Sequence, residues 1–150
     1  MAFLTLLAVV LAIPATIAAA PEVRGSISIE EGSGVITIRG RGALLGKLAR
    51  GQVTVVDLSP LDAWTPRVNG VTRLRTTVLR GRDVNVYVPG GRYRIMLRGE
   101  GINVSVRGSG VAMLDGEPDV ATGFTGTYWV GDDEPQPLPD TATTVAFGER

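Results

Sequence analysis

The chain has 150 residues, with 15 acidic and 15 basic side chains and neither histidine nor cysteine. Its 20 glycines and nine prolines are too many for a helical bundle, because helix interiors exclude both residues. The lack of His and Cys removes the commonest general base and the preferred ligands of zinc and copper, and it leaves no disulfide framework. We therefore expect one domain stabilised by its hydrophobic core, without a cofactor or a metal.

Residues 2–20 carry no charged side chain and have the layout of a secretory signal peptide. An apolar stretch from Phe3 to Ile13 is followed by the helix-breaking Pro14 and by small residues that end in Ala18-Ala19-Ala20. No Lys or Arg precedes the apolar stretch, so an uncleaved membrane anchor is the alternative. The sequence thus predicts an exported protein, extracellular or in the cell envelope, in which 1–20 is a signal peptide or an N-terminal anchor.

The rest of the chain alternates apolar and polar residues in short runs, which is typical of strands. Glycine-rich segments separate these runs and predict tight turns at Glu31–Gly34, Pro89–Gly91, Gly99–Gly101 and Gly108–Gly110. The predicted strands are Ser26–Glu30, Val35–Arg39, Gln52–Asp57, Val71–Leu79, Asp83–Val88, Arg92–Leu97, Ile102–Arg107, Val111–Leu114, Phe124–Val130 and Thr143–Phe147. Such spacing predicts an all-β fold, an antiparallel β-sandwich or barrel, with a short β-solenoid as the alternative.

A weak internal repeat supports a fold made of two β-rich halves. The segment from Ile36 to Gly42 is echoed by the segment from Ile95 to Gly101. Each is followed by an Arg-Gly pair, Arg50-Gly51 in the first copy and Arg107-Gly108 in the second. Two copies are too few for a solenoid, which needs many repeats of one period, so the repeat favours a sandwich or barrel.

Composition divides the exported part into three segments. We expect a β-domain over 21–130, an acidic proline-rich linker over 131–141 and a C-terminal strand or tail over 142–150. Residues 22–114 contain 14 basic and seven acidic side chains, whereas residues 115–150 contain one basic and eight acidic ones. The acidic tail could fold onto the basic body, or the two regions could face different partners.

Arginines recur at even spacing in two of the predicted strands and would then share a sheet face. The candidate anion-binding residues are Arg73, Arg75, Arg92, Arg94 and Arg98. Aligned on neighbouring strands, their guanidinium groups would suit phosphate or carboxylate groups of an anionic envelope polymer or a lipid headgroup. No nucleic acid is expected, because Tyr93 points to the opposite face and offers no base-stacking platform there. The alternative is a solvated face whose charges are offset by acids on adjacent strands, namely Glu30, Glu31, Asp83 and Glu100.

Four aromatic residues raise the possibility of glycan binding, because flat rings stack on sugar faces. Trp64, in the predicted loop Leu61–Pro66, is the candidate glycan contact. Tyr87, Tyr128 and Trp129 could join it, although Trp129 follows the pattern of a core residue in its strand.

Paired carboxylates keep a glycoside hydrolase open as an alternative, because that reaction needs two such groups across a cleft. The candidate pairs are Asp57 with Asp62, and Asp115 with Glu117 and Asp119. Asp57-Leu58-Ser59-Pro60 fits equally well a strand end whose carboxylate closes a turn. No other catalytic motif is present, so we expect no enzyme and assign no catalytic residue.

Several segments together resemble a group of uncharacterised exported proteins of high-GC Gram-positive bacteria. These segments are Arg39–Gly42, Leu48–Gly51, Val53–Pro60, Gly90–Arg94 and Arg98–Ile102, and the similarity spans most of residues 34–115. The resemblance implies export and β-structure, and it brings no activity, cofactor or catalytic residue with it.

The sequence as a whole predicts a non-enzymatic binding or structural module of the cell envelope, with an arginine-rich face for an anionic partner. The alternatives are a glycan-binding protein or an Asp-pair glycoside hydrolase. A third possibility is a scaffold whose β-edge docks to another exported protein.

Overall fold

The computed structural model describes residues 25–72 and 76–148. Its strands are β1 (Ser26–Asp57), β2 (Arg67–Val68), β3 (Val71–Thr72), β4 (Thr76–Val88), β5 (Arg92–Gly116), β6 (Thr127–Val130), β7 (Gln136–Pro137) and β8 (Thr143–Phe147). The prediction of an all-β fold is confirmed. No helix in this part of the chain is long and apolar enough to cross a membrane. The predicted leader, residues 2–20, and the candidate arginines Arg73 and Arg75 lie outside the described residues.

The sheet is built around two long strands, β1 and β5, that pair with each other twice. In one ladder, residues 34–57 of β1 lie antiparallel to residues 116–93 of β5. In the other, residues 26–41 of β1 lie along the opposite edge of residues 107–92. The two-stranded ribbon must therefore coil on itself, so that β1 flanks β5 on both sides.

Facing glycines allow this ribbon to bend without interruption. Gly51 (φ 145°) lies opposite Gly99 (φ 150°), and a Cβ on either would meet the carbonyl oxygen of the arginine that precedes the other. Because these backbones approach so closely, only glycine fits there. The glycine row continues across the sheet as Gly81, Gly51, Gly99, Gly34 and Gly116. We call this row the crease.

A second pair of facing glycines explains the internal repeat. Gly42 lies opposite Gly108, and again an added Cβ would meet the carbonyl oxygen of the preceding arginine on the other strand. Arg50-Gly51 and Arg107-Gly108, the pairs that end the two copies of the repeat, thus occupy equivalent positions at two bends. The repeated Arg-Gly dipeptides mark where the ribbon turns a corner.

The bends divide the sheet into two panels. The groove panel comprises 26–33 and 43–50 of β1, 100–107 of β5, 82–88 of β4, and β6. The arginine panel comprises 35–41 and 52–57 of β1, 92–98 and 109–116 of β5, 76–80 of β4, and β8. Buried residues of both panels belong to one core, including Ile29, Leu48 and Ile102 of the first and Ile38, Ile95 and Leu114 of the second. Since both panels contribute to one core, the outer face of each panel lies on the side of the sheet away from that core.

Three of the four predicted tight turns are wrong. The chain does not reverse at Glu31–Gly34, Gly99–Gly101 or Gly108–Gly110, because β1 and β5 continue through these segments as bulges or bends. Pro89–Gly91 does connect two strands, β4 and β5, but each of them pairs with β1 and not with the other. All pairs of described strands are antiparallel and form one continuous sheet, so the choice between sandwich and barrel stays a prediction.

The segment expected to be a linker, 131–141, packs against the sheet. It contains β7, and Leu138 is 2% exposed and belongs to the core. The backbone of Leu138 donates to Gly126 and accepts from the Thr125 hydroxyl, and Pro139 accepts from Gly116. β8 then lies along β5 in the region expected to be a strand or tail.

Candidate functional site

Three arginines of β5 lie on the exposed face of the arginine panel. Arg92, Arg94 and Arg98 are exposed, whereas Tyr93, Ile95 and Leu97 between them are fully buried. This is the strict alternation of a strand with one face on a core. Arg92 and Arg94 are about 7 Å apart along the strand and Arg98 is about 13 Å beyond Arg94, since each residue adds about 3.3 Å.

Two further arginines, which the sequence analysis did not include in this face, complete a block. Arg39 of β1 lies directly opposite Arg94, and Arg41 directly opposite Arg92. All four are exposed, and we call them the arginine quartet. Directly opposed side chains on an antiparallel pair have their Cβ atoms only about 5 Å apart, so the four guanidinium groups share one small area of surface.

No acid neutralises the quartet within residues 25–72 and 76–148. The one ion pair there joins Arg50 to Glu100 at 2.9 Å, beside the crease. Of the other acids expected to offset the charge, Glu30, Glu31 and Asp83 belong to the groove panel and form no ion pair among the described residues. Like charges placed directly opposite each other destabilise a sheet. The quartet therefore carries a cost that an anionic partner would remove.

A depression of about 280 Å³ lies beside the quartet. Its lining includes the guanidinium-bearing Arg39, Arg41 and Arg92, together with Leu58 and Ser109. Planar guanidinium groups bind phosphate and carboxylate through paired hydrogen bonds, and serine adds a neutral donor. The chemistry of this depression suits an oxyanion.

Arg98 has other neighbours than Arg92 and Arg94, although the sequence pattern grouped the three together. Its cross-strand neighbours are Val35 and Gln52. Gln52 accepts a hydrogen bond at 3.0 Å from Arg80, on the other side of β1. Arg98 therefore borders a second group of arginines at the crease, formed with Arg50, Arg80 and Arg82.

Trp64 lies in the loop between β1 and β2 and is 52% exposed. Its indole packs against Gly90, where an added Cβ would come within 3.2 Å of the ring. The ring thus covers the connection between β4 and β5 with one side and faces solvent with the other. Of the aromatic residues considered for sugar stacking, Tyr87 and Trp129 line a different cavity, described below.

The first candidate pair of carboxylates closes turns. Asp57 accepts a hydrogen bond from the Ser59 amide, and Asp62 accepts one from the Trp64 amide, each at 2.8 Å. Both are the local side-chain-to-backbone bonds that favour turns. The turn interpretation of Asp57-Leu58-Ser59-Pro60 is therefore confirmed for Asp57.

The second group of acids begins at the end of β5 with Asp115 and continues into the following loop with Glu117 and Asp119. Asp119 accepts hydrogen bonds from the amides of Thr122 and Ala121, both at 2.9 Å, and from the Thr122 hydroxyl at 3.0 Å. These bonds, chiefly those from Thr122, lower the pKa of Asp119. Across the described ranges, no three Asp or Glu residues are close enough together to hold a metal ion.

In comparisons with protein-family models, with curated proteins and with solved structures, no match to this chain was found. Its function is therefore argued from its own residues.

Proposed function

We propose that this chain is an exported, non-enzymatic binding module of the cell envelope whose arginine quartet binds an anionic polymer. The single observation that carries the proposal is the register of β1 and β5, which opposes Arg39 to Arg94 and Arg41 to Arg92. Four exposed cations without an acidic partner among the described residues favour a ligand that carries several negative charges.

The spacing of the arginines supports a linear ligand over a single small ion. The two rows of the quartet are about 7 Å apart along the strands, and Arg98 extends the series along β5. A chain with phosphate or carboxylate groups at a similar repeat can contact successive rows, whereas one free phosphate occupies only the depression. Such polymers are components of cell envelopes, which fits the export that the leader predicts.

The test is calorimetric titration with a glycerol phosphate oligomer at low and high salt. We expect saturable binding that weakens with salt, because exposed ion pairs are screened. Arg39→Gln with Arg94→Gln should weaken binding by about tenfold or more, since each hydrogen bond to a charged group contributes about 1.5–3 kcal/mol when well formed.

The matched control is Arg80→Gln with Arg82→Gln, which removes the same charge from the second arginine group. It should change the affinity less than about threefold, because long-range effects of exposed charges are screened. Equal losses in both double variants would show that net charge alone drives binding and would contradict the proposal. Binding to phosphatidylglycerol vesicles without binding to the oligomer would also contradict it.

A further inference from the structure

The outer face of the groove panel holds an open cavity of about 760 Å³. It runs across five neighbouring strands, β2, β4, the second half of β1, β5 and the first half of β1, and ends at β6. A volume of this size is typical of ligand-binding clefts. None of the four arginines of the quartet lines this cavity.

One row of side chains crosses the cavity from rim to rim. Tyr87, Leu45, Ser105, Ser28 and Trp129 are successive cross-strand partners. With strands about 4.8 Å apart, the path along the sheet from Tyr87 to Trp129 is about 19 Å. The expectation that Trp129 lies in the core is wrong, because its partner Ser28 faces outward between the buried Ile27 and Ile29.

The two aromatic residues lie at opposite rims of the cavity. Tyr87 is 45% exposed and Trp129 is half-buried, so both rings are accessible from the cleft. Leu45 and two serine hydroxyls form the floor between them, and Leu45 is 61% exposed. Flat aromatic rings at both ends of a hydroxyl-bearing floor suit a chain of sugar rings, whose C–H faces stack and whose hydroxyls need hydrogen-bond partners.

A second row supplies polar and charged groups. Lys47 lies between Asn85 and Asn103 on the adjacent strands and is not itself opposite an acid, whereas Asn103 faces the bulge formed by Glu30 and Glu31. The main chain fixes both amides, since Asn85 donates to Asp83 and Asn103 accepts from the amide of Glu31. Lys47 makes no ion pair with any described residue. Lys47 lies one strand away from the strand of Tyr87, and its ammonium group offers the cleft a charged hydrogen-bond donor.

A short hairpin forms the wall beside Tyr87. Asn69-Gly70 turns between β2 and β3, with both residues at positive φ, as a two-residue hairpin turn requires. Asn69 is held on β4 by bonds of 2.8 Å to and from the backbone of Asn85. This attachment places Arg67 opposite Tyr87, so a second cation lies at that end of the cleft.

The charges are distributed unevenly along the cleft. Lys47 and Arg67 lie toward the Tyr87 end, whereas the only acid of the lining, Glu30, lies beside Trp129. We infer that the cleft binds an oligosaccharide that carries carboxylate groups, with sugar rings on Tyr87 and Trp129 and a carboxylate at Lys47. The charge complementarity places the acidic sugar in the Tyr87 half and a hydroxyl-rich sugar beside Glu30.

The experiment titrates the full chain with a galacturonic acid tetramer and with the neutral galactose tetramer. Tyr87→Ala and Trp129→Ala should each weaken binding of the acidic tetramer by about tenfold, as expected for central aromatic contacts. Trp129→Phe keeps a ring and should keep most of the affinity. This result would show that the loss in Trp129→Ala comes from lost stacking and not from misfolding. Lys47→Gln should weaken the acidic tetramer more than the neutral one.

Trp64→Ala removes an exposed indole outside the cleft and should leave the affinity unchanged. Arg39→Gln with Arg94→Gln should also leave it unchanged, so failure of this site is distinct from failure of the quartet. No binding of the acidic tetramer at millimolar concentration would overturn the inference. Equal loss in the Trp64 variant, loss only in the quartet variant, or a dimer that buries Tyr87 and Trp129 would overturn it as well.

Discussion

In both panels β5 lies between two stretches of β1, yet the outer faces of the two panels differ in chemistry. Along residues 92–107, β5 lies between the two halves of β1. Before the crease its outward side chains include Arg92 and Arg94, and after it they are Asn103, Ser105 and, at the far end, Arg107. The inner faces are alike, since both are aliphatic and belong to one core. The backbone thus offers two surfaces, and only the outward residues decide what each can bind.

The largest effect tests the crease that separates the panels. Gly99→Ala should lower the free energy of unfolding by at least about 3 kcal/mol, because φ is 150° and the new Cβ would meet the Arg50 carbonyl oxygen. Chemical denaturation measures the loss. Gly81→Ala is the control in the same glycine row, since nothing lies within 4 Å of its added Cβ, and it should change stability by less than about 0.5 kcal/mol. Equal effects would show that the crease does not require glycine.

A smaller effect tests whether every polar atom buried by the two inner faces has a hydrogen-bond partner. Tyr93, in the arginine panel, is fully buried and its hydroxyl has no hydrogen-bond partner among the described residues. Tyr93→Phe should therefore raise stability by about 1 kcal/mol. Tyr93→Ala should destabilise instead, because it removes the ring from the core. A destabilised Phe variant would indicate that the hydroxyl is bonded.

The same tyrosine predicts alkaline sensitivity. Burial raises the pKa of Tyr93, so the folded chain keeps its proton after the unfolded chain has lost it near pH 10. Stability should be unaffected by this group below about pH 10 and should fall as the pH rises beyond that value. Denaturation curves of the Phe variant should lack this part of the decline, whereas Tyr87→Phe should retain it.

The next effect tests, without any ligand, whether repulsion between like charges destabilises the outer face of the arginine panel. Because Arg39 and Arg94 repel each other across the ladder, Arg39→Gln should raise stability by about 0.5 kcal/mol at low salt. Added salt should reduce the gain. Arg107→Gln, whose partners are Ser26 and Ala43, should show no such gain. Thermal unfolding at two salt concentrations gives the comparison, and a salt-independent gain would contradict the repulsion.

The smallest effect concerns the loop that follows β5, beside the crease. Its hydrogen bonds lower the pKa of Asp119, so this carboxylate supports folding above its unfolded pKa of about 3.9 and loses that support as the pH falls. Asp119→Asn should slightly reduce the loss in the free energy of unfolding as the pH is lowered through the acid range. Asp140→Asn, which removes an exposed acid that accepts no backbone hydrogen bond among the described residues, is the control for the change in net charge.

Local patterns identified the strands but not the path of the chain. Alternation around Ile36, Val53 and Ile95 predicted strands that the structure contains, because period-two burial follows directly from strand geometry. The glycine segments were interpreted as reversals, although Gly99 and Gly108 lie inside β5. A glycine in a strand can mark a turn or a bend, and only its partner on the other strand decides which. That partner is distant in sequence.

The candidate sites show the same limit. Even spacing identified Arg92 and Arg94 as one face, but Arg39 joins them through a register that no local pattern contains. Trp129 was assigned inward from its neighbour Val130, whereas pairing with Ser28 places it outward. Asn69-Gly70 was the strongest available hairpin signal and would have identified the hairpin formed by β2 and β3.

The double pairing of β1 and β5 also bears on how the chain is made. The ribosome releases β1 long before residues 92–116, and until then neither edge of β1 that pairs with β5 has its partner strand. Assembly must wait for nearly the whole polypeptide, since closing such distant contacts is slow. The unpaired edges and uncovered apolar residues of an emerging fragment would thus be exposed to proteases and aggregation until β5 arrives.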